Sequence, residues 1–580
     1  MQFSHLVQFF ERLENTASGN EMIETISELF QEAAKEEIDT ISYFILGQIT
    51  ADYQSIQMGL GIELVKSAIH KGTKVPLDTI EKMMKEHGDL GTVLQEIIGD
   101  QKKDNAERRK PLEVVEVHKT LLQIAKTSGS GSVQIKIDLL SDLIERAHSK
   151  EGKYLIRLVT GTMRLGAGTM TVLDGLAKAF LGSKSKRPEL EHAYNLCSDI
   201  GYVAKTVAKN GIKGIHRIEI AINRPIRPML AQRVDKMSEI KEKMPSEIIA
   251  AEEKYDGERI QAHIDGDQVR LFSRRLSDVT DQFPDVVEHV LEAFKGESAV
   301  LDGEVVAYDY KKNVYRPFQQ LMKRRRKYQI SEFIEKIPVK YQIFDLLYMN
   351  GHSFLGKNYP ERRSKLEKTV NETKFIGLAV RITSTDLDEI DEFFQDCVDR
   401  GLEGIICKSC TSDSYYRAGA RAWSWIKWKP EYGSDLSDTI DLVVVGAYSG
   451  RGKRGGTYGA ILCAAYNHEE DIFQTLCKLG SGFTDKELAD LPKKLVDARS
   501  KNKPTRVQVS DQIKPDYWFI PKYVLEVKGS EISESPIHTA NWNAEKKRGL
   551  SLRFPRFQRW RPEKSQDQVT TVEEIIQMSK

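Results

Sequence analysis

Glu252-Glu253-Lys254-Tyr255-Asp256-Gly257-Glu258-Arg259 sets one lysine among acidic residues, beside a glycine turn and an arginine. The residues on either side read as strands, Glu247 to Glu253 and Arg259 to Ile264. A lysine held where two strands meet can act as a nucleophile, because its amine is aimed into a site instead of sampling water on a free stem. The same short pattern also fits an ordinary surface turn. Its weight therefore rests on what the remainder of the chain supplies.

At 580 residues the chain is too long for one hydrophobic core, and about three domains are expected. Six scattered cysteines fit a reducing compartment better than a disulfide scaffold. Cys407 and Cys410 form a C-x-x-C, but no second pair follows at zinc spacing. Met1-Gln2-Phe3-Ser4-His5 shows no basic region followed by an apolar core, and no run approaches a membrane helix in length. A cytoplasmic protein is expected. The net charge of +1 is uninformative, but its distribution is not. Lys323 to Lys327 is a basic run, Arg451, Lys453 and Arg454 sit among glycines, and Lys546 to Arg561 interleaves cations with Phe554, Phe557 and Trp560. Together these favour a polyphosphate partner.

Residues 1 to about 210 read as helices, with Leu6, Phe9, Phe10 and Leu13, then Met22, Ile23, Ile26, Leu29 and Phe30, at helical spacing. Within them, Gly161 to Thr169 places glycines just before a helix. That arrangement suits an anion, or simply a tight helix–helix turn. Arg224-Pro225-Ile226-Arg227-Pro228 reads as a linker. Strands then dominate: Gln268 to Ser273, Val300 to Tyr308, Tyr341 to Tyr348 and Gly404 to Ser409, with helices Pro360 to Val370 and Leu387 to Arg400. Asp265-Gly266 closes a hairpin. This is an α+β domain with antiparallel sheets. Beyond Gly433, Asp441 to Ala447, Tyr458 to Ala465 and Ile472 to Leu479 read as strands of a small barrel.

Two glycine motifs mislead. Gly351 to Asn358 nearly matches a phosphate loop, but Asn358 stands where a hydroxyl should hold magnesium. Gly450-Arg451-Gly452-Lys453-Arg454-Gly455 matches a dinucleotide fingerprint, yet a strand and not a helix is expected after it. A basic hairpin loop is the better reading.

Further clusters follow Lys254 in order: Phe272-Ser273-Arg274-Arg275 at a strand end, Leu301-Asp302-Gly303-Glu304 at a turn, Tyr341 to Asp345 on a strand, Glu403 to Lys408 opening another, and Trp423 to Lys429 closing the domain. They supply a nucleophile, an aromatic face, carboxylates for a metal and cations for phosphate. These are the parts nucleotidyl transfer needs. Neighbouring cations such as Lys427 and Lys429 would favour the neutral, nucleophilic form of Lys254.

In that order KYDGER, SRR, LDGE, IFD, EGIICK and WIKWK, the chain resembles an ATP-dependent DNA ligase of the archaeal and eukaryotic replicative type. Arg553 to Arg561 resembles the C-terminal motif of that family, and Thr162 to Met170 resembles the glycine turn of its DNA-binding domain. The likeness spans nearly the whole chain. It implies an all-α DNA-binding domain (1–215), an α+β adenylation domain (216–432) and an OB-fold (433–580).

The resemblance also implies the roles. Lys254 carries AMP, and Glu252 lies at the adenine edge through its backbone. Arg259 and Arg274 contact the nucleotide or the nick phosphate. Glu304 meets the ribose or the metal, Phe344 stacks on adenine, Glu403 helps hold Mg2+, and Arg421 and Lys427 meet phosphate, with Lys429 nearby. Arg559 acts in the first step. ATP and Mg2+ are implied, and so are nicked duplex DNA as substrate, roles in replication, repair and recombination, and a monomer. The sliding-clamp segment some relatives carry is not evident, since Gln101-Lys102-Lys103-Asp104-Asn105 is fully polar. An RNA ligase or guanylyltransferase would share the lysine motif but not need the helical first third. A non-catalytic nick binder would not need Lys254, Glu304, Glu403 and Lys427 together.

Overall fold

The structure is a computed structural model describing residues 1–101, 110–234, 236–244, 246–324, 330–429, 439–450, 454–529 and 531–579. The chain divides into two compact units. One comprises Met1–Gly61, Arg109–Ala147 and Arg157–Tyr432, and the other Ile62–Arg108, His148–Ile156 and Gly433–Lys580.

Helices open the first unit, because the apolar residues fall on single helical faces. Leu6, Phe9, Phe10 and Leu13 are buried on Phe3–Glu14, and Met22, Ile26, Leu29 and Phe30 on Gly19–Glu32, with Ile23 half-buried at the margin. Ser18 caps the second of these by accepting from the Glu21 N–H. Between Gly161 and Thr169, Met163 and Leu165 point inward, while Arg164, Gly166 and Gly168 are exposed just before the helix Thr169–Leu181. The turn thus packs two side chains and presents its backbone outward.

The proline-containing stretch expected as a linker is a packed strap. Ile226 is buried, its N–H donates to Gln261 Oε1 at 2.8 Å, and its carbonyl accepts from Gln261 Nε2 at 3.2 Å. Two well-placed hydrogen bonds and an apolar anchor outweigh the freedom a linker would keep.

The strands after the strap form two sheets. In chain order they are β1 Leu230–Arg233, β2 Ile249–Lys254, β3 Glu258–Asp265, β4 Gln268–Ser273, β5 Ser298–Asp309, β6 Val314–Tyr315, β7 Val339–Met349, β8 His352–Ser353, β9 Ile376–Leu378, β10 Arg381–Ser384, β11 Gly404–Ser409 and β12 Arg421–Trp428. One sheet runs β1-β12-β11-β2-β10. The other runs β4-β3-β5-β7-β8, with β6 on β5 and β9 on β7. Pairing is antiparallel except for the short pairs β1–β12 and β7–β9. Ile226, Met229, Val300, Leu347, Tyr416 and Trp425 form one shared core. The helix Leu387–Asp399 packs Ile390, Phe394 and Cys397 against Ala251, Ile405 and Ile426. A further helix, Pro284–Ala293, was not anticipated. Proline opens it and buries no donor there, and Val286, Val290 and Ala293 face the core.

Two expectations need correction. Leu301–Glu304 makes no turn but lies inside β5, where the pairing with β7 slips between Asp302 and Gly303. Asp302 faces Asp345 and Gly303 faces Ile343, so Phe344 is the extra, bulged residue. A side chain at Gly303 would collide with the Tyr341 ring at 2.5 Å, so glycine is required. Second, the basic run at 323–327 is not wholly a surface. Arg324 is buried, with its Nη2 2.6 Å from Asp285 Oδ1, and residues 325–327 lie outside the described residues. Asn358 caps the helix Tyr359–Thr369 in a capping box with Glu361, so it belongs to a helix start and not to a phosphate loop.

In the second unit, strands Ile440–Ser449, Tyr458–Asn467 and Ile472–Leu479 form an antiparallel meander, extended by Val524–Lys528 and Arg556–Trp560. A separate sheet runs Glu531–Ser535, Arg548–Arg553, Ala540–Asn543. Leu442, Val444, Ile461, Leu476, Leu525 and Val527 fill the core. The glycine-rich loop is followed by a strand, as a hairpin requires; residues 451–453 lie outside the described residues. So do 102–105 of the polar stretch beginning at Gln101. Among the described residues, no helix is long and apolar enough to cross a membrane.

Candidate active site

Lys254 is the last residue of β2, and strand alternation puts it on the same face as Glu252. Across the ladder it lies opposite Gly404, whose φ of +126° is open only to glycine. That register brings in Glu403, whose N–H donates to the Lys254 carbonyl at 2.9 Å. The Lys254 ammonium forms an ion pair with Glu403 Oε2, and Lys429 Nζ meets the same oxygen at 2.5 Å. Burial raises the Glu403 carboxyl, but the two lysines outweigh it and hold it down at about 2. The expected cation neighbours are present, but the Glu403 carboxylate sits between Lys429 and Lys254. An ammonium has no lone pair, so nucleophilic attack requires this pair to open and the proton to leave.

Glu304 stands on β5 opposite Arg259. Burial pushes its carboxyl up to about 8 against the opposing pull of Lys254 and Arg259. Lys427, on β12, has its amine lowered first by burial and then by Lys429, Lys254, Arg421 and Arg274. These five cations form one positive patch. Arg274 at the end of β4 and Arg421 at the start of β12 are exposed. Such a patch attracts phosphate groups.

Beside the patch lies an aromatic platform. Phe344 is aimed by its bulge, with the Trp425 ring at its edge, centroids 6.1 Å apart. Lys408 Nζ sits 4.9 Å from the Phe344 centroid, 4.9 Å from that of Tyr359 and 4.4 Å from that of Trp425. Lys408 also donates to the bulge carbonyl of Phe344 at 3.4 Å and pairs with Glu252 Oε2 at 2.6 Å. Tyr359 OH donates to Glu252 Oε1 at 2.5 Å. The Glu252 carboxylate is thus committed inside the protein, and its backbone lies in the ladder between β10 and β11. Lys408 and Tyr359 were not assigned roles from the sequence. Their contacts join strands and a helix far apart in the chain.

Arg259 is anchored by the protein itself. It is held by Asp302 through Nε at 3.0 Å and Nη2 at 2.7 Å, by the Met229 carbonyl at 2.7 Å and by Tyr416 OH at 3.1 Å. Its guanidinium lies 5.3 Å from the Phe344 centroid. Four of its five N–H donors are thus held by the protein, which braces the platform. Asp256 accepts from the Phe318 N–H at 3.0 Å and shapes the turn. Cys407 is a buried thiol that burial pushes up to about 12. Arg559 lies in the other unit, where its Nε donates to Glu526 Oε2 at 2.7 Å.

Comparison with known proteins agrees with this geometry. Residues 2–177 match the family described as DNA ligase N terminus, 228–429 the ATP dependent DNA ligase domain, and 454–564 the ATP dependent DNA ligase C terminal region. The chain is 41% identical to a DNA ligase of Acidianus ambivalens, over 100% of this chain and 98% of that one. It is likewise 41% identical to DNA ligase 1 of Methanosarcina mazei, over 99% of each. The solved structure named Pmar-Lig_Pre, 18% identical, superposes with a TM-score of 0.55 over 96% of this chain and 99% of that chain, and so shares the fold. A lysine at a strand end between carboxylates, an aromatic platform, a cationic patch and full-length likeness at this level lead to one conclusion: the chain belongs to the ATP-dependent DNA ligase family, which seals nicks in DNA.

Proposed function

We propose that Lys254 is the residue that carries AMP, and that 1–215, 216–432 and 433–580 act as DNA-binding, adenylation and OB-fold domains. The observation that carries the reading is the Lys254–Glu403 pair at the edge of the cationic patch. In the first step the Lys254 amine attacks the α-phosphorus of ATP. A P–N bond forms, the bond to pyrophosphate breaks, and pyrophosphate leaves. AMP then passes to the 5′-phosphate at a nick, and the 3′-hydroxyl displaces it. Phe344 offers a flat face to adenine, and the Glu252 backbone lies at its edge. Arg274, Arg421, Lys427 and Lys429 receive the phosphates, and Arg259 supports Phe344 from behind.

Glu304 and Glu403 would hold a magnesium ion as hard oxygen donors; Glu403 is held down at about 2 and is anionic, and Glu304, pushed up to about 8 by burial, would give up its proton to the ion's charge. Among the described residues no group of three or more such ligands exists, which suits an ion carried mainly by substrate phosphates. Bound there, Mg2+ would neutralise charge on the phosphates. The exposed backbone between Gly161 and Thr169 supports phosphate contact by the helical domain, in keeping with grip that ignores sequence. One chain supplies every residue used, so a monomer suffices.

The test is incubation with α-labelled ATP and magnesium, then denaturing electrophoresis. Label should stay on the wild-type protein and vanish from Lys254→Ala. Equal labelling of the two would refute the assignment.

A further inference from the structure

Glu253, one residue before Lys254, faces the opposite side of the sheet and enters the core around Ile405, Phe394 and Cys397. Its carboxylate is 0% exposed, and its partner is Arg400 Nη1 at 2.6 Å, itself 42% exposed at the end of the helix Leu387–Asp399. The Tyr255 hydroxyl also meets this carboxylate and Tyr308 and Tyr315 lie near it, but the balancing positive charge comes from Arg400. A charge buried this way contributes little net stability, and an apolar pair of similar size would pack as well. Geometry is what the pair adds. Gly401, at φ +79°, turns the chain sharply, Leu402 is buried, and Glu403 follows. The turn from Arg400 to Glu403 is therefore tied to β2 twice. Arg400 holds Glu253 beneath the sheet, and the Glu403 N–H holds the Lys254 carbonyl.

We propose that the Glu253–Arg400 ion pair positions Glu403 against Lys254 for enzyme–AMP formation. This rests on the reading of Lys254 as nucleophile and Glu403 as a metal-holding carboxylate. Glu253 and Arg400 touch no substrate; they are positioning residues that act through Glu403.

The experiment compares full-length wild type, Arg400→Lys and the apolar double variant Glu253→Leu with Arg400→Leu. Three quantities are read: the thermal midpoint, the rate of adduct formation from α-labelled ATP, and the Mg2+ concentration giving half the maximal rate. The double variant should melt close to wild type. It should form adduct about tenfold more slowly, as expected for a misplaced catalytic group, and need severalfold more Mg2+. Arg400→Lys keeps the charge but loses the planar fork, and should fall between. An unchanged rate and Mg2+ requirement in the folded double variant would overturn the proposal. So would a rate that falls with the midpoint while the Mg2+ requirement stays fixed. If the double variant does not fold, Arg400→Lys decides by the same Mg2+ criterion. Labelling of Lys254→Ala would instead sink the underlying reading of the site.

Discussion

Arg362, on the helix Tyr359–Thr369, and Arg559, in the strand Arg556–Trp560, each meet a carboxylate, under opposite conditions. Arg362 is fully buried, with Nε 2.7 Å and Nη2 3.0 Å from Asp345 and its remaining donor on the carbonyls of Lys357 and Ser414. Arg559 is 63% exposed and meets Glu526 through Nε alone. The buried pair sits directly after Phe344 and fixes the bulge that aims its ring. The exposed arginine is screened by water and can leave Glu526, which keeps Arg561 at 3.2 Å. Buried charge here fixes the geometry of the aromatic platform; exposed charge leaves a side chain available.

The largest effect should come from breaking the buried pair. Arg362→Ala leaves the buried Asp345 carboxylate without its ion-pair partner, only the Leu346 N–H remaining at 3.0 Å, and should cost about 3–5 kcal/mol, read by chemical denaturation. A loss under about 1 kcal/mol would show that the pair does not hold the bulge.

A smaller effect should appear in acid. His263 accepts from the Asn223 N–H at 3.1 Å, and its other nitrogen lies 2.9 Å from Gln261 Oε1, so the neutral ring is fully used. Burial, with a smaller push from Arg270, brings it down to about 3. Between that value and its unfolded value near 6.5, the unfolded chain binds a proton that the folded chain refuses. Stability is therefore whole above about pH 6.5 and falls by up to about 1.4 kcal/mol per pH unit below it. Urea melts from pH 7 to 5 should show a shallower slope in His263→Asn. Equal slopes would remove His263 from the acid response.

Smallest of all, Arg559→Gln should change stability by less than about 1 kcal/mol, read as a thermal midpoint, since it leaves Glu526 paired with Arg561 at 3.2 Å. A larger loss would make the exposed pair structural and erase the contrast with Arg362.

Much of this was legible in the sequence. Alternation on β2 already places Glu252 and Lys254 on one face, and the helical spacing of the first helices identifies their buried residues. What the sequence hid are partners distant along the chain. Asp302 capturing Arg259, Lys408 enclosed by Phe344, Tyr359 and Trp425, and Arg324 turned inward onto Asp285 depend on packing that no local pattern encodes. The turn expected at Leu301–Glu304 failed because glycine there serves a close approach to Tyr341, which reads in sequence like a turn glycine.

The central claim is that AMP is carried on Lys254. The direct measurement is proteolysis of the protein after reaction with ATP and magnesium, followed by mass spectrometric mapping of the acid-sparing digest. The mass of AMP should appear on the peptide containing Lys254 and on no other. An adduct on Lys427 or Lys429, or no adduct in a protein that still seals nicks, would contradict the account.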